Sequence, residues 1–473
     1  MPRLLLSALL LLAGSTLAQD RPPNVVLLLI DDLGWTDLAT QGSKFHETPH
    51  LDQLARDGMR FTSAYAACTV CSPTRAAVLT GKSPARLHLT DWIAGHQRPF
   101  ARLKIPDWTQ ALPKEETTLA EHLKVRGYAT ASIGKWHLGP DAPEAHGFDR
   151  NLGGYEAGQP PSYFSPYKIP TLKDGPEGEF LTDRLTEETV GFIREHKDKP
   201  FFVYLPHYAV HTPIQAKANV IAKYRAKGPA GHHHDPAYAA LVESVDDSVG
   251  RLRAVLQELG LTDNTLFIFT SDNGGLSHLV GPQGWRRGPT DNSPLRLGKG
   301  SAYEGGMRVP LLIAWPGVIE PGSACDTPVI SHDLAPTVLA ATGITPGAEI
   351  VFDGVSLMPL LTQKDILARD AIYWHYPHYH PGGASPYSAL RAGDWKLMLH
   401  HEDNRLELYN LRRDPGEAVN LAEAEADIAT ALHQQLQSWL TQVNAQLPEP
   451  NPAHDPERIW ESPRTKVRKE GES

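Results

Sequence analysis

"NVVLLLIDDLG", Asn24–Gly34, is an unbroken apolar run that stops at two adjacent carboxylates. A strand with one wet face alternates; a run that does not predicts a strand covered on both faces, as in a parallel or mixed sheet. Four further runs share the design. "YATASIGKWHLG" leads to Lys135 and His137, "FFVYLPHYAVHTP" to His207 and His211, "TLFIFTSDNGG" to Asp272 and Asn273, and "VPLLIAWPG" to a turn. Between them lie amphipathic segments: "TLAEHLKVRG" ending at Gly127, "TDRLTEETVGFIREH", and "AALVESVDDSVGRLRAVLQELG" ending at Gly260. This alternation predicts an α/β fold on a large mixed, mostly parallel sheet flanked by helices. In such sheets the reactive groups gather beyond the carboxyl ends of the strands, where the polar residues just named stand.

Around Asp370 the texture changes. "YSALRAGDWKLMLHHEDNRLELYNLRRDP" alternates like an antiparallel meander, with Gly393-Asp394 and Asp403-Asn404 as turns. "LAEAEADIATALHQQLQSWLTQVNAQL" then reads as one amphipathic helix. At the start, Arg3 precedes an apolar run from Leu4 to Leu12, with Thr16 and Ala18 in the small-residue positions of a cleavage site. These features predict a secretory signal peptide and an exported, periplasmic or extracellular protein. The apolar run falls short of the roughly 20 residues of a spanning helix, so the protein is not expected to be membrane-embedded. The expected organisation is a signal peptide over 1–19, a catalytic domain over 20–368, a smaller antiparallel sheet with its helix over 369–447, and a poorly ordered tail over 448–473, rich in Pro, Glu, Lys and Arg.

Hydrophobic residues at 41% and charged residues at 21% describe an ordinary globular chain, and a net charge of -10 argues against a nucleic-acid partner. The only cysteines are Cys68, Cys71 and Cys325, so outside the cytosol at least one thiol stays unpaired and needs burial or a chemical purpose. Cys68 and Cys325 read as buried small hydrophobes. In "CTVCSPTRAAVLTG", Pro73 fits the first position of a helix, which puts Cys71 at a helix N-terminus with Arg75 one turn on; such a place favours anions. If their strands are neighbours, Asp31, Asp32, Asp272 and Asn273 bring three carboxylates and an amide carbonyl together. That all-oxygen set suits a hard cation, Ca²⁺ in preference to Mg²⁺.

With these motifs in this order, the chain resembles the formylglycine-dependent arylsulfatase-like enzymes, the sulfatase family of the alkaline-phosphatase superfamily. The likeness runs from Asn24 to about Leu421 and is carried by "DDLG", "CSPTRAAVLTG", "GKWHLG", "PHYAVHTP", "TSDNGG", "LGKGSAYEGGMRVP", "ALRAGDWKL" and "ELYNLRRDPGEAVNLA". It implies an alkaline-phosphatase-like sheet and conversion of Cys71 to 3-oxoalanine (Cα-formylglycine) by a maturation enzyme. It also implies one divalent cation on Asp31, Asp32, Asp272, Asn273 and an oxygen of residue 71. Arg75 and His137 would orient the formylglycine diol, while Lys135, His211 and Lys299 would bind the sulfate. One hydroxyl of the diol would attack sulfur, Lys299 or His211 would assist the leaving oxygen, and His137 would take the second hydroxyl's proton as sulfate departs. Thr74 departs from the Ser that many members carry.

The expected activity is hydrolysis of an organic sulfate ester, on a sulfated saccharide rather than a steroid or lipid. "YWHYPHYHPGG", Tyr373 to Gly383, supplies aromatic and imidazole groups for recognition, with His375 and His378 as the expected substrate contacts. His207 stands open between a structural histidine and a secondary contact, Glu304 and Arg308 read as a supporting ion pair, and His232, His233 and His234 as a solvated loop. Two rivals remain: a phosphonate or phosphodiester hydrolase of the same superfamily, and a non-catalytic glycan-binding pseudoenzyme. Against the first, "TSDNGG" places Asn273 where phosphoesterase relatives generally resemble "DHG"; against the second stands the full set of Cys71, Arg75, Lys135, His137, His211 and Lys299.

Overall fold

Asn24–Ile30 is a strand with every residue buried. Its side chains divide by the strand period of two: Val26, Leu28 and Ile30 pack into one core, and Val25, Leu27 and Leu29 into a second on the opposite face. Truncating one of these leucines to Ala would cost about 2–5 kcal/mol, because neither face can collapse onto the gap. The computed structural model describes residues 21–461; the expected signal peptide, over 1–19, lies outside the described residues.

The strand is fifth in an eight-stranded sheet ordered Ser323–Cys325, Met59–Phe61, Leu311–Ala314, Thr265–Ser271, Asn24–Ile30, Phe201–Pro206, Ala129–Ile133, Arg150–Leu152. Pairing is parallel except on the two sides of Leu311–Ala314, which runs against both neighbours. Four of the apolar runs therefore release their polar residues at one edge of the sheet. The run through "VPLLIAWPG" points the other way, and its turn lies at the far edge. Helices Pro49–Asp57, Leu181–Glu195, Ala218–Lys227 and Pro236–Glu258 cover one face; Cys71–Thr80, Leu119–Val125 and Leu334–Ala341 cover the other. No helix among the described residues is long and apolar enough to cross a membrane.

Backbone bonds carry the ladder one step past the strand ends. Asp272 N–H donates to Ile30 C=O at 3.0 Å, Asp31 N–H to Ala209 C=O at 3.0 Å, and Lys135 N–H to Pro206 C=O at 2.7 Å. The polar residues beyond the strands are thus held by the sheet itself rather than by free loops.

The second sheet is an antiparallel meander of Ile372–Tyr376, Tyr387–Ala392, Trp395–His400 and Arg405–Asn410 in chain order. Gly393 at φ 57° and Asn404 at φ 55° occupy its turns, where a left-handed backbone selects these residue types. Helix Ala426–Gln442 covers one face through Leu436 and Leu440. The other face, with Trp374, Ala389 and Met398, packs on Tyr65 and Val70 of the larger unit.

Two expectations change here. The chain after Leu447 is docked, not loose, as far as Glu461: Glu449–Pro450 pairs with Leu103–Lys104, and Asn451 Nδ2 donates to the carbonyls of Pro99 and Ala101 at 2.9 and 2.7 Å. Composition could not register that a neighbouring loop offers free backbone acceptors. The helix after Val70 begins at Cys71 itself, with Pro73 in its third position, where an amide hydrogen is still not needed.

Candidate active site

Cys71 opens the buried helix Cys71–Thr80, which closes on Gly81 at φ 69°. Thr74 Oγ1 accepts from Cys68 N–H at 3.0 Å and donates to Cys68 C=O at 3.2 Å, pinning the turn that presents residue 71. Cys68 and Cys71 are buried and Cys325 half-buried; all three are free thiols. Cys71 Sγ lies 3.3 Å from His137 Nδ1. The other ring nitrogen of His137, Nε2, faces the carbonyl of Ile93 at 2.5 Å. A carbonyl can only accept, so Nε2 carries the proton and Nδ1 presents a lone pair to residue 71. Burial holds the imidazole well below its ordinary range, Lys135 adding to the effect and the Ile93 carbonyl opposing it. Gly158 presses on this ring: a Cβ there would come within 2.5 Å of His137 Cε1.

Around this pair three carboxylates meet three permanent cations. Lys135 Nζ donates to Asp31 Oδ2 at 2.7 Å, Lys299 Nζ to Asp32 Oδ2 at 2.9 Å, and Arg75 Nε and Nη2 to Asp272 Oδ2 at 3.0 and 2.7 Å. Asn273 Nδ2 donates to Asp32 Oδ1 at 2.8 Å. Asp32 and His137 are non-glycine residues in the left-handed region, at φ 63° and 58°, so the chain leaves two strand ends, one on each side of Phe201–Pro206, in a conformation non-glycine residues seldom adopt. Burial pushes the Asp31 carboxyl well above its usual value, Lys135 opposing and Asp272 adding to the rise. Asp32 and Asp272 are also burdened by burial, but Lys299 and His211 bring the first below the usual range and Arg75 and Lys135 the second.

The donor set fits a hard cation. Asp31 Oδ1 and Asn273 Oδ1 are buried oxygens without a hydrogen-bond partner, and Asp31, Asp32 and His211 place one ligand atom each within 4.8 Å of one another. Oxygen donors from two carboxylates and an amide, with a third carboxylate alongside, are the chemistry that Ca²⁺ or Mg²⁺ requires.

The chain's likeness to known proteins agrees with this geometry. The family described as Sulfatase matches residues 23–344, and the family described as N-sulphoglucosamine sulphohydrolase, C-terminal, matches residues 297–446. The chain belongs to the sulfatase family. It is therefore a hydrolase, and its sheet is that of the alkaline-phosphatase-like fold. A sulfatase of Formosa agariphila is 33% identical, with 93% of each chain covered. N-acetylgalactosamine-6-sulfatase of Homo sapiens is 32% identical over 87% of this chain and 84% of its own. Among solved structures, that of Ps i-CgsB in complex with k-i-k-neocarrahexaose superposes with a TM-score of 0.74 at 29% identity, covering 89% of this chain and 93% of that one.

In this sulfatase the ionic cluster forms the floor of a cavity of about 470 Å³, to which Asp32, Cys71, His137, His211 and Lys299 contribute. Trp92, His96, Leu279 and His380 form part of its wall. Nothing in the one-dimensional pattern marks Trp92 or His96, which stand in a loop with no motif. Trp92 Nε1 donates to His96 Nδ1 at 3.0 Å, and Gly382 N–H donates to His380 Nδ1 at 2.8 Å. Each of these two imidazoles is left with Nε2–H as its donor, and burial holds both below the ordinary range.

His375 and His378 do not reach this cavity, which corrects the expectation drawn from the 373–383 segment. His375 is on strand Ile372–Tyr376, where the period of two turns it to the face of Tyr373, toward the C-terminal helix. Its ring is taken up by Ser388 Oγ at 2.7 Å and Gln446 C=O at 2.8 Å. His378 is fully buried, bonded to Thr90 Oγ1 at 2.8 Å and packed edge-on against Trp108. The loop contributes His380 instead, tied beside Lys299 by the bond from Ala384 N–H to Gly300 C=O at 3.0 Å.

Of the remaining histidines, His207 points away from the floor to Ser248 Oγ at 3.0 Å and is structural. Glu304 and Arg308 lie 3.7 Å apart beneath the second sheet. His232 is exposed, but His233 is not part of a solvated loop: it is buried with its Nε2 3.2 Å from Asp37 Oδ1.

Proposed function

We propose that this sulfatase hydrolyses a sulfate ester on a saccharide, with residue 71, matured from Cys to formylglycine, as nucleophile and a divalent cation, Ca²⁺ by preference, on Asp31, Asp32, Asp272 and Asn273. When present, the cation supplies a Lewis acid for the sulfate oxygens and the formylglycine a hydroxyl nucleophile. The observation that carries the reading is Cys71 Sγ, 3.3 Å from an imidazole nitrogen whose tautomer makes it an acceptor. His137 Nδ1 is thereby suited to take a proton from residue 71. Arg75 touches Asp272 and the Lys135 carbonyl at 3.2 Å, so it positions the carboxylate rather than handling the ester.

Charge and tautomer assign the other roles. Three carboxylates balance Lys135, Lys299 and Arg75, so a dication leaves the floor net positive to meet an anionic ester. His211 Nδ1 faces the Thr212 carbonyl at 2.8 Å, which leaves Nε2 without a proton in the neutral ring, and burial beside Lys299 keeps the ring neutral, down to about 3. Lys299, whose ammonium Asp32 holds against burial, is then the group that stabilises the leaving oxygen.

The saccharide preference is supported by the complex named above, which holds a sugar chain, and by a second cleft of about 480 Å³ that shares His380 in its wall with the first. Trp285, Tyr379 and Trp460 line it, and Trp285 is 63% exposed. Exposed indoles beside an anion-binding floor suit the apolar faces of sugar rings. Matured protein is to be assayed on an aryl sulfate, an aryl phosphonate and defined sulfated saccharides, with mass spectrometry of the residue 71 peptide. Higher kcat/KM on sulfated oligosaccharides than on the aryl sulfate, with residue 71 as the aldehyde, is the expected result. Higher kcat/KM on the phosphonate overturns the assignment.

A further inference from the structure

Asp37, His46 and His233 come from three separate segments and meet in a buried cluster: a short turn just past Asp32, the loop before helix Pro49–Asp57, and the loop before helix Pro236–Glu258. Their exposures are 0, 3 and 6%. We propose that these three residues form a second metal site, structural in role, that takes a transition-metal dication of the zinc class through two imidazole nitrogens and one carboxylate oxygen.

The spacing is that of a coordination shell. His233 Nε2 is 3.2 Å and His46 Nδ1 3.7 Å from Asp37 Oδ1, and all three donor atoms lie within 4.8 Å of one another. A tetrahedral ion with bonds of about 2.0–2.1 Å sets its ligand atoms about 3.3–3.4 Å apart. Neither His46 Nδ1 nor His233 Nε2 makes a hydrogen bond, although both are buried. Leaving such atoms unmet costs about 1–3 kcal/mol each, and a shared cation relieves both at once.

The surroundings are built for ligation as well. Asp37 Oδ2 accepts from Gly34 N–H at 2.7 Å and Tyr238 OH at 2.6 Å, and Oδ1 from Thr290 Oγ1 at 2.6 Å, which fixes the carboxylate while leaving Oδ1 a lone pair. His233 Nδ1 lies 3.4 Å from Ser43 Oγ, a partner for the second ring proton. Two imidazoles and one carboxylate favour a borderline metal over Ca²⁺, whereas the carboxylates and amide oxygen of the active-site floor favour the reverse. Tyr238 OH also contacts Asp32 C=O at 3.3 Å, so the cluster clamps the backbone that carries the Asp31-Asp32 pair. A metal-free ion pair of His233 with Asp37 is the competing arrangement; it leaves the His46 nitrogen unmet.

The test uses the whole protein, stripped with a chelator, refilled with excess Ca²⁺, then dialysed against ZnCl₂ and measured for metal content and thermal unfolding. One zinc per chain retained over excess calcium, with a raised unfolding midpoint, is expected. His46→Gln and His233→Gln should each weaken zinc binding at least about tenfold and leave calcium content unchanged, while His232→Gln, at the exposed neighbour, should match the parent. Visible absorption of the Co²⁺-loaded parent needs no variant and should carry histidine-ligated d–d bands. Failure of the parent to retain zinc, equal retention by the two glutamine variants, or Co²⁺ spectra like those of the aquo ion overturns the proposal.

Discussion

Lys396, Glu304 and Glu417 beneath the second sheet, and Lys135, Asp31 and Asp272 beneath the cavity, are all ionisable groups without solvent exposure, yet the two groups are completed differently. Under the sheet, Lys396 Nζ donates to Glu304 Oε1 at 3.1 Å and to Glu417 Oε1 at 2.8 Å. Glu304 N–H donates to Glu417 Oε2 at 2.7 Å, and Tyr65 OH donates to Glu304 Oε2 at 2.7 Å. Every carboxylate oxygen there has a partner from the chain. On the cavity floor Asp31 Oδ1 and Asn273 Oδ1 have none. A buried network finished by its own groups anchors the second sheet to the segments beneath it; one left unfinished at a cavity is an offer to a ligand.

Four substitutions separate these uses, beginning with the largest effect. Cys71→Ala should lower turnover of an aryl sulfate by roughly 10⁴-fold or more while leaving the unfolding midpoint near that of the parent; retained turnover would remove residue 71 as nucleophile. His137→Ala should cost about 10²–10⁴ in kcat with a smaller change in KM, read from steady-state kinetics on the same ester. Lys396→Met should do the opposite, costing about 3–5 kcal/mol in denaturant unfolding because two buried carboxylates lose their cation, with kcat per folded molecule unchanged.

The smallest effect is a slope. Burial pushes Glu417 from an ordinary 4.5 up to about 7, Lys396 opposing and Glu304 adding to the rise. Within that window the folded chain holds a proton that the unfolded chain has released, so this group's contribution to stability falls as pH rises from 4.5 to about 7. Glu417→Gln should remove that decline, seen as a smaller difference in unfolding midpoint between the two ends of the window; an unchanged difference would place the titration elsewhere.

Much of the sheet was legible in sequence because a strand covered on both faces must be apolar throughout, and five runs met that condition. The floor was legible for a related reason: in parallel strands the polar residue after each run falls at the same edge, so Asp31, Lys135, His211 and Asp272 could be grouped before any contact was known. His375 and His378 misled because an imidazole-rich segment carries no sign of which ring faces which way. Pairing with Tyr387–Ala392 decides that for His375, and packing under Thr90 and Trp108 decides it for His378.

The chain's own order of residues determined the family, the buried strands of the core and the residue types of the floor, since these depend on local period and on motifs a few residues long. Only the tertiary structure decided that Leu311–Ala314 runs against its neighbours, that Trp92, His96 and His380 wall the cavity, that residues 448–461 dock on Leu103–Lys104, and that Asp37, His46 and His233 meet. Each of these depends on contacts between segments distant along the chain. Hydrophobic period registers that a residue is buried, but it is blind to what the residue is buried against.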